Sequence, residues 1–215
     1  LLSEDPSLSY VAVVHCETTT GLLNPLHDIA QVVKACGRRL IVDAMSAFGA
    51  MAVDARETPF TALVASSNKC LEGVPGIGFA IVDEAVLRSC EGRSSSLSLD
   101  LHAQWRAFVS SGQWRFTPPV QVLAALDEAL SQHESEGGVE GRGARYEQNC
   151  RLLRRGMASF GFRPFLDDAL QAPIILTFHQ PADARFVFAD FYRRLSKRGF
   201  RIYPGKLTQA PTFRV

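Results

Sequence analysis

Tyr10-Val11-Ala12-Val13-Val14-His15 is an almost unbroken apolar run, and runs without polar alternation belong to strands covered on both faces. A helix is predicted next. Asn24 offers an N-cap, Pro25 a first helical position, and the segment through Lys34-Ala35-Cys36 stops at Gly37. The strand Arg39 to Asp43 completes a βαβ unit, and Thr61–Ala65 and Ile77–Val82 supply two more strands. Further on, Pro118-Pro119 predicts a helix running to about Glu136, with a break at Gly137-Gly138-Val139-Glu140-Gly141 and a second helix from about Arg142 to Phe160. Beyond Gly161 the pattern predicts a strand over Ala172–Phe178, a helix over Ala182–Lys197 and a strand over Phe200–Tyr203. The expected class is α/β, built on a mostly parallel sheet. Residues 1–136 belong to a large domain and 137–215 to a smaller C-terminal α+β domain, with linking helices over about 118–160.

Composition narrows the function. Apolar residues make up 47% of the chain and charged ones 21%, which is enough apolar material for a substantial core. A net charge of +1, with no basic stripe interleaved with aromatics, points away from nucleic acid and toward small-molecule chemistry. The five cysteines, Cys16, Cys36, Cys70, Cys90 and Cys150, lack metal-ligand spacing and are odd in number, so neither a metal site nor a full disulfide framework is expected. A reducing cytoplasm suits them, with Cys70 as a small buried hydrophobe. No stretch has the length of a membrane span, and the opening residues lack the basic and apolar regions of a signal peptide, so a soluble, non-exported protein is expected. The start at Leu1-Leu2-Ser3 and the close at Thr212-Phe213-Arg214-Val215, just after a strand begins, are expected of a chain cut from a longer one.

Ligands of parallel α/β sheets sit at the carboxyl ends of the strands. His15, Asp43 and Lys69 lie at or just beyond such ends, as does the turn Glu17-Thr18-Thr19-Thr20-Gly21. A strand-terminal carboxylate with a lysine on the loop after the next strand is what a pyridoxal phosphate site needs: one group to pair with the pyridine nitrogen and one to hold the aldehyde covalently. The competing reading makes Asp43 a turn or helix cap and Lys69 a surface charge. The setting of Lys69, between Ser66-Ser67-Asn68 and the turn Gly73-Val74-Pro75-Gly76, favours the cofactor.

The chain resembles the class V, fold type I pyridoxal phosphate aminotransferases in His15-Cys16-Glu17-Thr18-Thr19-Thr20-Gly21-Leu22-Leu23-Asn24-Pro25, Val42-Asp43-Ala44-Met45-Ser46, Ser66-Ser67-Asn68-Lys69-Cys70 and Gln113-Trp114-Arg115-Phe116-Thr117-Pro118. That resemblance implies a three-layer large domain, a homodimer, and transfer of an amino group from a small donor to a 2-oxo acid. It implies Lys69 as the lysine that binds the cofactor and moves the proton, and Asp43 as the partner of the pyridine nitrogen. Thr18 and Thr19 are implied near the cofactor's phenolic oxygen, although threonines in tight turns equally serve the backbone. Asn68 joins the cofactor site. Thr117 is implied to reach the cofactor phosphate of a neighbouring subunit, and it also stands where an N-cap for the helix at Pro118 is expected. Arg214 matches the late-chain arginine that grips the acidic end of the substrate, and a guanidinium fork suits a phosphonate or carboxylate. His15 is expected to be a packed strand-end histidine. Three readings stay open: a branch acting on an aminophosphonate with pyruvate, one acting on alanine or serine with glyoxylate, and a non-catalytic homologue.

Overall fold

The computed structural model describes residues 2–206 and 210–215, so Leu1 of the chain opening lies outside the described residues. Four strands, β1 (Tyr10–Val14), β2 (Arg39–Asp43), β3 (Ala62–Ser66) and β4 (Gly78–Val82), form one sheet in the order β1-β2-β3-β4. The first three run parallel, with Val14 opposite Asp43 and Asp43 opposite Val64. Helix α1 (Leu26–Ala35) makes the crossover and buries Leu26, Ala30 and Val33, spaced one helical turn apart, against Leu40 and Val42 of β2 and Leu63 and Ala65 of β3.

The sheet is mostly parallel, as expected, and its one antiparallel pairing is that of β4 with β3. No helix lies between them, and a parallel return needs a crossover of a dozen residues or more. The connecting loop therefore doubles back. Lys69 rides on this loop, at the carboxyl edge of β3.

Two helices went unpredicted, α2 (Glu84–Arg88) and α3 (Leu101–Ser111), although both carry legible caps. Asp83 accepts from the Val86 amide and Asp100 from the Ala103 amide, each at 2.9 Å, and Gly112 ends α3 in the left-handed region. Helix α4 spans Val120–Ser135 and α5 spans Gly138–Ser159. The predicted break shrinks to the junction at Gly137, because Gly141 belongs to α5 and lies against the end of α4. A Cβ there would come within 1.9 Å of the Glu136 carbonyl oxygen.

A second, antiparallel sheet holds β5 (Thr177–His179), β6 (Tyr203–Pro204) and β7 (Thr212–Arg214) in the order β5-β7-β6. The predicted strand over 172–178 is thus only its last residues and His179. Helix α6 (Phe188–Ser196) starts later than predicted, because Asp183 first closes a turn on the Arg185 amide. Its Phe188, Phe191, Tyr192 and Leu195 cover Phe178, Ile202 and Phe213, with Leu153 and Met157 of α5 on the same core. No helix among the described residues is long and apolar enough to cross a membrane.

Candidate active site

Because β1, β2 and β3 are parallel, their carboxyl ends share one edge, and the chemistry-bearing loops leave from it. His15 follows β1, Asp43 ends β2 and Lys69 follows β3. Thr18, Ser46, Lys69, Cys70, Tyr146, Tyr203 and Arg214, with an apolar wall at Ile174 and Ile175, line a cavity of about 480 Å³ between this edge and the second sheet.

Gly21 brings the Thr18 turn to that wall. It has φ +83, and a Cβ would come within 2.1 Å of the Ile175 carbonyl oxygen. The Thr18 hydroxyl lies 2.8 Å from that of Ser46, while Arg214 Nη1 donates to the Thr18 carbonyl at 2.7 Å. Arg214 is thereby fixed from two sides: its backbone pairs within the second sheet and its guanidinium reaches the first. Its Nε is buried without a partner among the described residues.

Lys69 is exposed, and its amine has no hydrogen bond or ion pair among the described residues. The turn beneath it is tightly closed, with the Glu72 amide donating to the Lys69 carbonyl and the Gly73 amide to the Ser67 carbonyl, each at 2.8 Å. Asp43 is half-buried. Its Oδ1 accepts from the Met45 amide at 2.9 Å, the turn-capping bond of the competing reading, while Oδ2 has no partner among the described residues.

The predicted residues divide accordingly. Thr18, Lys69 and Arg214 meet at one cavity, whereas Asp43, Thr19, Asn68 and Thr117 are not among its lining residues. Asn68 accepts from the Ser66 hydroxyl at 3.1 Å. The Thr19 carbonyl accepts from the Thr177 hydroxyl at 3.3 Å. Thr117 is exposed and does not cap α4, because the helix begins only after both prolines, with Pro119 in the cap position. Asn24 likewise gives up the predicted cap of α1 to Pro25, and its side-chain Nδ2 donates to the Val14 carbonyl at 2.7 Å. Sequence reasoning did not single out Ser46, Tyr146 or Tyr203. Ser46 lay inside a quoted motif, but Tyr146 and Tyr203 arrive from distant elements and have no local signal.

Two neighbouring groups are packed rather than reactive. Cys70 donates to the Ser46 carbonyl at 3.3 Å, and burial pushes its thiol up to about 11. His15 is buried with Nδ1 unpartnered, and burial holds it below its ordinary value of 6.5. The sign follows from which state takes the proton. Unfolded chains bind it more readily, so His15 contributes full stability above 6.5 and loses it as pH falls from there through the lowered folded value. Urea-unfolding midpoints measured across that window should fall less steeply for His15→Gln than for the parent; parallel slopes would exclude this linkage.

The aminotransferase class V family model matches residues 3–213. The chain belongs to the class V aminotransferases. It is 58% identical over all of its 215 residues to a curated 2-aminoethylphosphonate–pyruvate transaminase of Pseudomonas putida, and 58% identical over 214 residues to the like-named transaminase 2 of Burkholderia lata. The chain spans 58% and 57% of the length of these two relatives. Among solved structures it superposes on pyridoxamine-pyruvate aminotransferase from Mesorhizobium loti with a TM-score of 0.86 and 26% identity, covering all of this chain and 55% of that one. The fold is the fold type I aminotransferase architecture, and membership of the family implies pyridoxal phosphate as cofactor.

Proposed function

We propose that the protein is a pyridoxal phosphate-dependent transaminase that moves the amino group of 2-aminoethylphosphonate to pyruvate, giving phosphonoacetaldehyde and alanine. The observation that carries this reading is an unpaired lysine amine and an arginine with free donors on one cavity. The identity to the named relatives supports the substrate pair. The residues fit the cofactor: on the cavity Lys69 offers a free amine and Thr18 and Ser46 a hydroxyl pair, and at the same sheet edge, outside the cavity's lining, Asp43 offers a free carboxylate oxygen.

Pyridoxal phosphate supplies an electron sink and a carrier for the amino group when bound. Lys69 is the residue that would hold it covalently, and its Nζ is placed to take a proton from the substrate carbon. Asp43 Oδ2 would pair with the ring nitrogen and favour its positive charge. Arg214 binds the acidic end of the donor through Nε and Nη2, while Nη1 stays on the Thr18 carbonyl. Ile174 and Ile175 give the cavity an apolar wall beside these groups.

In the same reading, residues 1–136 form part of the cofactor-binding domain, 137–215 belong to the smaller one, and Asn68 and Thr19 assist the cofactor. The active species is a cytoplasmic homodimer. Five free cysteines agree with a reducing compartment, and exposed Leu97, Leu99, Trp114 and Phe116 near Thr117 agree with a second copy packing there.

The deciding experiment compares initial rates of alanine formation from 2-aminoethylphosphonate and pyruvate with those of alanine or serine plus glyoxylate. A higher kcat/KM for the glyoxylate pair would overturn the substrate assignment. Arg214→Met is expected to raise KM for the phosphonate donor by about tenfold to a hundredfold, the usual worth of hydrogen bonds to a charged group, with a smaller change for pyruvate. An unchanged KM would remove Arg214 from the donor site.

A further inference from the structure

The turn that carries Lys69 holds a backbone feature of its own. Glu72 has φ +59 and is the one non-glycine residue with positive φ among the described residues. Such a conformation costs a side-chain-bearing residue free energy and persists only where the surroundings enforce it. Here three side chains of α5 do so. Glu72 Oε1 accepts from Tyr146 Oη at 2.7 Å and from Arg145 Nη2 at 2.9 Å, and Oε2 lies 3.6 Å from Arg142 Nη1. Arg142, Arg145 and Tyr146 are spaced to share one helix face. Arg142 is 2% exposed, and its Nη1 also donates to the Cys70 carbonyl at 2.5 Å, directly beside Lys69. Glu136 fixes both guanidiniums from the other side, with Nε contacts at 2.6 Å.

We propose that Glu72 is a positioning residue for Lys69: clamped by Arg142, Arg145 and Tyr146, it holds the turn in the conformation that presents the Lys69 amine to the cavity. The inference rests on the proposed role of Lys69. The clamp reaches further than the turn. Tyr146 lines the same cavity, and farther along α5 Leu153 and Met157 pack on the core that contains Phe213, the neighbour of Arg214. One helix therefore sets the spacing between the lysine amine and the guanidinium meant for the substrate.

The test is made in the native protein. Cofactor-free protein is titrated with pyridoxal phosphate, reduced with borohydride and mapped by peptide mass spectrometry, with Lys34 on α1 as the reference amine. Half-saturation of Lys69 capture is the readout. Glu72→Gly keeps the left-handed backbone available but removes the carboxylate, and it should raise half-saturation about tenfold, since a displacement of ~1 Å at a reacting group costs up to about a hundredfold. Glu72→Gln retains an acceptor for Tyr146 and Arg145 and should recover most of that loss, which general destabilisation would not produce. Tyr146→Phe keeps the ring packing and should weaken capture by a smaller factor. Parent-like capture by Glu72→Gly, or equal losses for Gly and Gln, would overturn the positioning role while leaving Lys69 as the attachment point. Failure of the parent to capture at Lys69 would overturn both this inference and the proposed function.

Discussion

Lys69→Ala is expected to lower transamination by at least about 10⁴-fold, the upper range for a single positioned proton-transfer group, with loss of covalent attachment added to it. The size follows from the make-up of the cavity. Lys69 is the one lysine among its lining residues, and Cys70 beside it is neutral and turned toward the Ser46 carbonyl. No other amine lines the cavity among the described residues. The fold should survive, because the Lys69 side chain is exposed and has no partner among the described residues, while the turn is closed by backbone bonds that alanine retains. The decisive pair of measurements is borohydride capture of pyridoxal phosphate, which should vanish from the 69 peptide, and the thermal unfolding midpoint of cofactor-free protein, which should stay near that of the parent. Full transamination by the variant would sink the assignment of Lys69 and the mechanism built on it.

The parts of the site that were readable from sequence are those set by local rules. An apolar run ending in Asp43 identified β2 and placed a carboxylate at its carboxyl end, with Leu40 and Val42 buried on one face and Ile41 partly covered on the other. Lys69 stood out because small polar residues and a glycine-proline turn surround it. The α2 and α3 caps at Asp83 and Asp100 were equally local and were passed over. Other features depend on long-range packing and leave no trace in a window of a dozen residues. The antiparallel return of β4 depends on a loop that closes on itself. Tyr146 and Arg142 act on the Lys69 turn from α5, and Tyr203 reaches the cavity from β6. Thr117 shows the opposite failure. A threonine before Pro-Pro is a fair N-cap by local rules, but both prolines precede the first helical turn and the cap falls on Pro119.

Asp43→Asn carries the second-largest expected effect and separates the two readings of that residue. Asparagine has nearly the same shape, and its Oδ1 can still accept from the Met45 amide, so the turn after β2 is kept. The negative charge is lost, together with the free Oδ2 that faces no other donor among the described residues. If Asp43 only caps a turn, the substitution is close to silent. If it stabilises positive charge on the cofactor nitrogen, that stabilisation matters most when charge builds up during proton removal, so turnover suffers more than binding. The expected result is a fall in kcat of about 10²- to 10³-fold, comparable to removing one preorganised electrostatic group, with cofactor half-saturation changed by less than about tenfold. A substrate deuterated at the carbon that loses its proton should show a larger isotope effect in the variant, because that step becomes fully limiting. A kcat within about threefold of the parent would return Asp43 to its turn-capping role and leave the ring nitrogen without an assigned partner.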